Sequence, residues 1–370
     1  MADTAPVRRA APALSPKARL RLFWLRLHRW IALTAMLAVL AIAITGMSLV
    51  WRGPVERMFH GDRFPQSSAP STASPSAMLA AAAQALPASN PPLQIQFAPP
   101  GGAAVVTGVA NGPPIIGIGP PRRPRVWIDP ADGAVLSVSD GSPDYIFIAK
   151  AIHGHMLIAP IGRWLMALVG LSLLFLAGTG LWLWWPGRKN IVKSLKWRKQ
   201  LSKSMNLHRI VGPLASLGLI AQSFTGIFMA LPWLLSIGTN TPARPPAAKP
   251  SKPLAAPQRD ADAALAAATP LAGGKRIVSI QLPTEATPRW TLALAGGASV
   301  AVDDLNGAAT FRPAPPAAAG ADAREAVAAL HEGEYGLLHK LLLTATGAAL
   351  ALYAITGILL WTQGRKRKHR

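Results

Sequence analysis

The sequence predicts a mainly α-helical membrane protein with four transmembrane helices, arranged as a duplicated unit of helix, external module and helix. Three observations indicate this fold class. The mean hydropathy is +0.29, 51% of the residues are hydrophobic and only 15% are charged. Four apolar windows, at residues 31–51, 165–185, 210–235 and 341–361, each have about the twenty residues needed to cross a bilayer. Each external module is expected to be a small α+β unit.

The positions of the basic residues predict the orientation of these helices. Residues 1–30, residues 187–209 and the tail after Gly364 contain seven, eight and five Lys or Arg residues, and their one acid is Asp3. Short basic segments remain in the cytoplasm. We therefore expect both termini inside and both long hydrophilic segments outside. This placement accounts for the net charge of +22 without a nucleic-acid partner. The chain has no cysteine, which excludes disulfides, thiolate metal sites and covalently attached haem.

Taken in order, the chain divides into nine predicted segments. They are a disordered basic N-terminus (1–20), the first span (21–52), the first module (53–150), the second span (151–186), a basic loop (187–205), the third span (206–236), the second module (237–328), the fourth span (329–362) and a basic tail (363–370). Within the modules, the pattern predicts helices at 77–86 and 261–268 and strands at 125–129, 135–136, 276–282, 290–294 and 300–303.

Landmarks at nearly constant offset indicate that the chain is a tandem duplication. Their offsets lie between 174 and 180 positions, and the pairs are His28 with His208, Thr45-Gly46 with Thr225-Gly226, Asp129 with Asp303, Gly133 with Gly307, His153 with His331, and Thr179-Gly180 with Thr356-Gly357.

The duplicated histidines are the candidate cofactor ligands. A histidine at the edge of an apolar span costs free energy unless it has a partner, which makes it a functional-site hypothesis. His28 and His208 are both expected at the cytoplasmic face, whereas His153 and His331 are expected at the outer face. Two histidines from facing helices can bind one haem iron axially. Two such pairs predict two non-covalent b-type haems, one near each face.

The spacing of the Thr-Gly pairs is consistent with two levels. Seventeen residues separate His28 from Thr45, a rise of about 25 Å along a helix. Thr45-Gly46 and Thr225-Gly226 should therefore reach the outer level, and Thr179-Gly180 and Thr356-Gly357 the inner level. Each glycine either leaves room for a flat porphyrin or lets two helices pack closely.

Several assignments stay open. His155 is an alternative to His153, and His339 is an alternative to His331. Four basic residues are candidates either for haem propionates or for lipid headgroups: Arg29, Arg163, Arg209 and Lys340. The tryptophans near the span ends, Trp51, Trp182, Trp184, Trp185 and Trp361, are interpreted as residues of the interfacial belt.

The motifs at 27–30, 45–46, 126–136, 153–186 and 330–361 together resemble the PepSY-associated transmembrane proteins of the bacterial inner membrane. The resemblance covers nearly the whole chain after residue 20. It implies PepSY-like periplasmic modules and, for some members of the family, haem-dependent reduction of ferric siderophores.

Two classes of function follow. In the first, the two haems carry electrons from a quinol or a cytoplasmic reductase to a periplasmic acceptor, which by the resemblance is a ferric siderophore. A separate donor is required because the chain has no nicotinamide or flavin fingerprint. In the second, the protein is a non-redox binding or sensory module that the four spans anchor in the bilayer.

Overall fold

The computed structural model describes residues 14–65, 72–97, 101–114, 121–185, 190–236, 251–315 and 321–368. Predictions for residues 1–13, for 186–189 of the basic loop, for 237–250 of the second module and for 369–370 of the tail lie outside the described residues.

The described helices are α1 (Pro16–Val50), α2 (Arg52–Phe59), α3 (Pro75–Ala85), α4 (Tyr145–His155), α5 (Gly162–Trp184), α6 (Ile191–Ser194), α7 (Lys203–Ala230), α8 (Ala261–Ala268), α9 (Ala321–Glu332) and α10 (Leu337–Lys368). The described strands are β1 (Pro92–Gln96), β2 (Ala104–Gly108), β3 (Asn111–Pro114), β4 (Pro121–Arg122), β5 (Arg125–Ile128), β6 (Val135–Ser139), β7 (Ile277–Gln281), β8 (Arg289–Leu294), β9 (Ser299–Asp303) and β10 (Ala309–Arg312).

The chain forms two compact units. The bundle contains α1, most of α5, α7 and α10, together with the end of α9 from Val327. The sheet domain contains residues 51–163 and 232–326. Both units are assembled from both halves of the chain, so neither half folds as a separate body.

The four predicted spans are confirmed as α1, α5, α7 and the Leu337–Thr362 stretch of α10, each long and apolar enough to cross a membrane. The boundaries differ at the chain start, because α1 begins at Pro16 and makes residues 16–20 helical. The tail also differs, because α10 continues to Lys368.

Small residues let the helices of the bundle pack closely. The buried centre includes Val39, Ala43, Ala177, Leu219, Leu350 and Ala354. Three glycines lie directly against a neighbouring helix. A Cβ atom built at Gly170, Gly218 or Gly347 would come within 2.7, 2.4 or 2.6 Å of a side chain on α7, α10 or α1 respectively. Helices in lipid commonly associate through close contacts at glycine. Lipid tails are as apolar as the side chains, so the hydrophobic effect does not drive the helices together.

The second and fourth spans each follow a short separate helix, which the sequence did not predict. In the second half, α9 ends at Glu332, and Gly333 adopts a φ of 81° that turns the chain toward α10. The N–H groups of Gly333 and Glu334 both donate to the carbonyl of Ala329 and so terminate α9. In the first half, α4 ends at His155 and α5 begins at Gly162.

The two predicted modules share one antiparallel sheet in the order β10-β9-β8-β7-β1-β2-β5-β6. They join where β1 pairs with β7, with Ile95 opposite Ile280. Both of these side chains are fully buried in a core that also takes Met78 and Ala82 from α3 and Ala264 from α8. The two modules are therefore halves of a single domain. The predicted helices and strands of both modules are present, whereas β1, β2, β3, β4 and β10 were not predicted.

A reciprocal contact joins the first turns of the two helices on this sheet. The Ser74 hydroxyl, which also caps α3, donates to the Asp262 carboxylate at 2.8 Å, and the Asp262 N–H donates to Ser76 Oγ at 3.1 Å. The contact joins residues 188 positions apart in sequence. It is a second link between the two halves of the chain, in addition to the pairing of β1 with β7.

Candidate functional site

The two histidines predicted at the inner face, His28 and His208, both lie in the bundle. His28 is on α1 and His208 is on α7, the equivalent helix of the second half. Both side chains are half-buried. Two spanning helices from different halves of the chain thus each carry a half-buried imidazole ring.

Each inner histidine contacts the threonine of a Thr-Gly pair on another helix. His28 Nδ1 lies 2.9 Å from Thr179 Oγ1 on α5, and His208 Nδ1 lies 3.4 Å from Thr356 Oγ1 on α10. We call His28, Thr179 and Gly180 the first cradle, and His208, Thr356 and Gly357 the second cradle. Each cradle thus combines a histidine and a Thr-Gly pair from two different helices.

The glycine of the first cradle makes room for the histidine ring. A Cβ atom at Gly180 would lie 3.4 Å from His28 Cε1, whereas a Cβ atom at Gly357 would meet nothing within 4 Å. The sequence suggested that each glycine leaves room for a porphyrin or lets two helices pack closely. In the first cradle, the atom nearest to a Cβ at Gly180 belongs to the His28 imidazole.

The same arrangement occurs at the other end of α7. His331, near the end of α9, has its Nδ1 2.9 Å from Thr225 Oγ1. A Cβ atom at Gly226 would lie 3.2 Å from His331 Cε1. Thr225 is seventeen residues from His208, so two histidine–threonine contacts lie about 25 Å apart along this helix. Thr45, the matching residue on α1, is buried and donates to the Ala41 carbonyl at 2.7 Å, with Gly46 next to it.

Of the two candidates in the fourth span, His331 is the one in contact with α7. His339 lies in the first turn of α10, where its Nδ1 accepts from the Tyr335 N–H at 3.4 Å and its ring packs on the Tyr335 ring. These contacts are local to the connection between α9 and α10. The geometry therefore favours His331 for a site within the bundle.

His153 and His155 both lie in the last turn of α4, in the sheet domain. Two residues along a helix rotate a side chain by about 200°, so only one of the two can point into any given site. His155 Nδ1 is buried and has no hydrogen-bond partner among the described residues. Burial lowers the pKa of His155, and the Arg163 guanidinium lowers it further, which favours the neutral ring that a metal requires. Both histidines remain candidates.

The basic candidates have different surroundings. The Arg209 guanidinium donates to the carbonyls of Ser194 and Lys196, so it fastens the basic loop to α7 rather than facing a cofactor. Arg29 and Arg163 are exposed, and Lys340 is half-buried. The exposed guanidinium groups of Arg29 and Arg163 can reach either an acidic group of a ligand or lipid headgroups.

One residue beside the His208 ring was missed from the sequence. Tyr353 packs edge-on against that ring with 5.1 Å between centroids, and its buried hydroxyl has no hydrogen-bond partner among the described residues. Trp184, interpreted as a belt residue, has its Nε1 buried without a partner among the described residues, whereas Trp182 and Trp185 are exposed. Buried donors are nearly always paired, which makes both groups candidates for contact with a bound ligand.

The His28 and His208 side chains are of a kind that could hold a haem. Within the described ranges, no three His, Cys, Asp or Glu side chains come together as metal ligands. A pair of histidines suffices for haem, because the macrocycle supplies the other four ligands of the iron.

The fold and the site define a multi-pass membrane protein with a repeated set of partly buried histidine–threonine contacts and a single sheet domain built from both halves. The model of the PepSY-associated TM region matches residues 25–364, and the chain belongs to this family. A search of curated proteins gave no match.

Proposed function

We propose that the protein is a di-haem electron-transfer protein of the bacterial inner membrane that reduces an acceptor on the periplasmic side. The observation that supports this most directly is that His28 and His208, on two different spanning helices, each contact the threonine of a Thr-Gly pair on a further helix. A haem bound there would supply one-electron redox chemistry, and the two imidazoles would hold its iron.

Structural packing alone is a weaker account of the inner site. Histidine is rare within membrane spans. If the histidines served only helix packing, the hydrogen bond from each ring to its threonine would be sufficient, and no further polar group would be needed nearby. The site additionally contains the Tyr353 hydroxyl, which is buried and has no hydrogen-bond partner among the described residues. A haem has carboxylate groups that can accept such donors, so it explains a feature that helix packing does not.

For the second haem we propose His331 with His153 or His155. Its support is the repeated pattern: His331 makes the same contacts to Thr225 and Gly226 that His28 makes to Thr179 and Gly180. His155 is retained because its Nδ1 is buried without a described partner.

The proposed acceptor is a ferric siderophore, as the family resemblance implies. Reduction to Fe(II) weakens a chelate of hard oxygen ligands and releases the iron. A ferric chelate is too large and polar to enter the bilayer, so it would receive the electron at the periplasmic face. The proposed donor is a quinol or a cytoplasmic reductase, and the basic segments place the termini on the cytoplasmic side.

The first prediction is that the purified protein binds two haems per chain, with low-spin b-type bands after reduction by dithionite. His28→Ala and His208→Ala should each lower the content to one haem, because each removes an axial ligand of the same inner site. Haem per chain is measured from the pyridine haemochrome spectrum.

His60→Ala is the matched control, because His60 lies in the sheet domain at the end of α2 and should leave both haems in place. A colourless protein that stays colourless after haem is added would reject the redox proposal and leave the anchored binding module. Retention of two haems by either inner variant would reject the inner ligand pair.

A further inference from the structure

Three of the Thr-Gly threonines, Thr179, Thr225 and Thr356, contact both a carbonyl of their own helix and a histidine, and each hydroxyl has only one proton. Thr179 Oγ1 lies 2.7 Å from the Phe175 carbonyl of its own helix and 2.9 Å from His28 Nδ1. Thr225 Oγ1 lies 2.9 Å from the Ala221 carbonyl and 2.9 Å from His331 Nδ1. A hydroxyl is one donor with two acceptor lone pairs.

The backbone carbonyl determines which of the two contacts receives the threonine hydroxyl proton. A backbone carbonyl can only accept, so its contact is a hydrogen bond only if the threonine donates to it. If Thr179 donated to His28 instead, two oxygens would face each other at 2.7 Å with no proton between them. Both contacts are therefore satisfied only when the threonine donates to the carbonyl and the histidine donates to the threonine.

We infer that these threonines are positioning residues, which hold His28, His208 and His331 as the Nδ1–H tautomer and leave Nε2 unprotonated. The adjoining glycine completes the arrangement at two of the three sites, because it admits Cε1 between the two ring nitrogens. The inference rests on the proposed function only for the identity of the group bound at Nε2.

This assignment gives the Thr-Gly motif a chemical role. A histidine that binds a metal through one nitrogen commonly donates its other N–H to a fixed acceptor, which sets the tautomer and makes the ring a stronger donor to the metal. A hydroxyl that is itself anchored to a helix carbonyl is such an acceptor. At the second cradle the contact is longer, 3.4 Å, and we expect a weaker effect there.

The test compares Thr179→Val, which keeps the shape and removes the oxygen, with Thr179→Ser, which restores it. Histidine ¹⁵N NMR of the full-length, haem-free protein distinguishes a protonated Nδ1 from a protonated Nε2, and a His28→Gln spectrum identifies the signals. Wild type and Thr179→Ser should show His28 protonated at Nδ1. Thr179→Val should lose that preference.

Thr34→Val is the matched control. Thr34 makes the same kind of bond to its own helix, to the Trp30 and Ile31 carbonyls at 3.1 and 3.0 Å, but it is exposed and away from the cradles. It should leave the His28 tautomer unchanged. Nε2 protonation in wild type, or an unchanged tautomer in Thr179→Val, would overturn the inference.

In the haem-loaded protein, Thr179→Val should shift the reduction equilibrium of the inner haem about tenfold toward the reduced form, or about 59 mV for one electron. The reason is that a ring without an acceptor at Nδ1 donates less charge to the iron. Thr179→Ser should restore the potential, and Thr356→Val should shift it less. If the protein binds no haem, the NMR comparison still decides the tautomer, so the two proposals fail separately.

Discussion

The first and second cradles are equivalent in sequence, yet they hold their histidines differently. In the first cradle the threonine contact is 2.9 Å and the glycine lies directly against the ring. In the second cradle the threonine contact is 3.4 Å, and there is open space where the glycine would carry a side chain. Duplication has thus preserved the residue types while the surroundings of the two rings have diverged.

The two halves carry different residues one turn before the cradle threonine. Tyr353, one turn before Thr356, packs edge-on against His208, whereas the equivalent position one turn before Thr179 is Leu176. An edge-on aromatic contact contributes roughly 0.5–1.5 kcal/mol beyond burial of area. We conclude that His28 is oriented by Thr179 and Gly180, and that His208 is oriented more by Tyr353.

The largest effect that this comparison predicts is at the glycines. Gly180→Val should displace the His28 ring, because its methyl groups would extend beyond a Cβ atom already 3.4 Å from Cε1. Haem content should fall from two per chain to one. Gly357→Val is the matched variant and should keep both haems. Equal haem loss in both variants would show that the two cradles are equally tight.

The next effect concerns the Tyr353 hydroxyl. An unpaired buried hydroxyl costs about 1–3 kcal/mol. Tyr353→Phe should therefore raise the thermal unfolding temperature of the haem-free protein in detergent. In the haem-loaded protein the gain should disappear, because the hydroxyl then has a polar group to bond.

Tyr335→Phe serves as the control, since Tyr335 is 61% exposed and should change neither form. A stability gain of equal size with and without haem would mean that the Tyr353 hydroxyl does not contact the cofactor.

The sequence was sufficient for the spans, because apolar runs of membrane length define α1, α5, α7 and α10. It did not predict the contact of His28 with Thr179. That contact depends on the rotation of each helix about its axis, which helix length does not determine, so the sequence could not show that Gly180 faces an imidazole.

The sheet domain was predicted in its parts but not in its assembly. The turn signals at 129–133 and 303–307 locate the hairpins, because Gly133 and Gly307 both adopt positive φ. The pairing of β1 with β7 joins residues nearly 190 positions apart, and no local pattern encodes it. Tyr353 was missed for a different reason. Its difference from the equivalent residue, Leu176, is found only when the two halves are aligned position by position.

The smallest predicted effect compares the short helices that precede the second and fourth spans. Asp144 caps α4 by accepting the Phe147 N–H at 2.8 Å, and it pairs with the buried Arg63 at 3.2 Å. Its equivalent in α9, Asp322, is exposed in the first turn. Burial by itself would raise the pKa of Asp144, but the Phe147 N–H and the Arg63 and Arg125 guanidinium groups outweigh it, so the pKa lies below its usual value.

A carboxyl whose pKa is lower in the folded state adds stability above its unfolded pKa, which is about 3.9, and loses this stability as the pH falls through the folded value. Asp144→Asn keeps a capping oxygen and removes the charge, so it should cost about 1 kcal/mol at neutral pH. The difference from wild type should shrink as the pH falls below the unfolded pKa of about 3.9 and disappear once Asp144 is protonated in the folded state. Asp322→Asn, measured by the same denaturant titrations at neutral pH, should cost less, because Asp322 is exposed. A cost for Asp144→Asn that persists in acid would mean that amide packing, rather than the ion pair with Arg63, accounts for it.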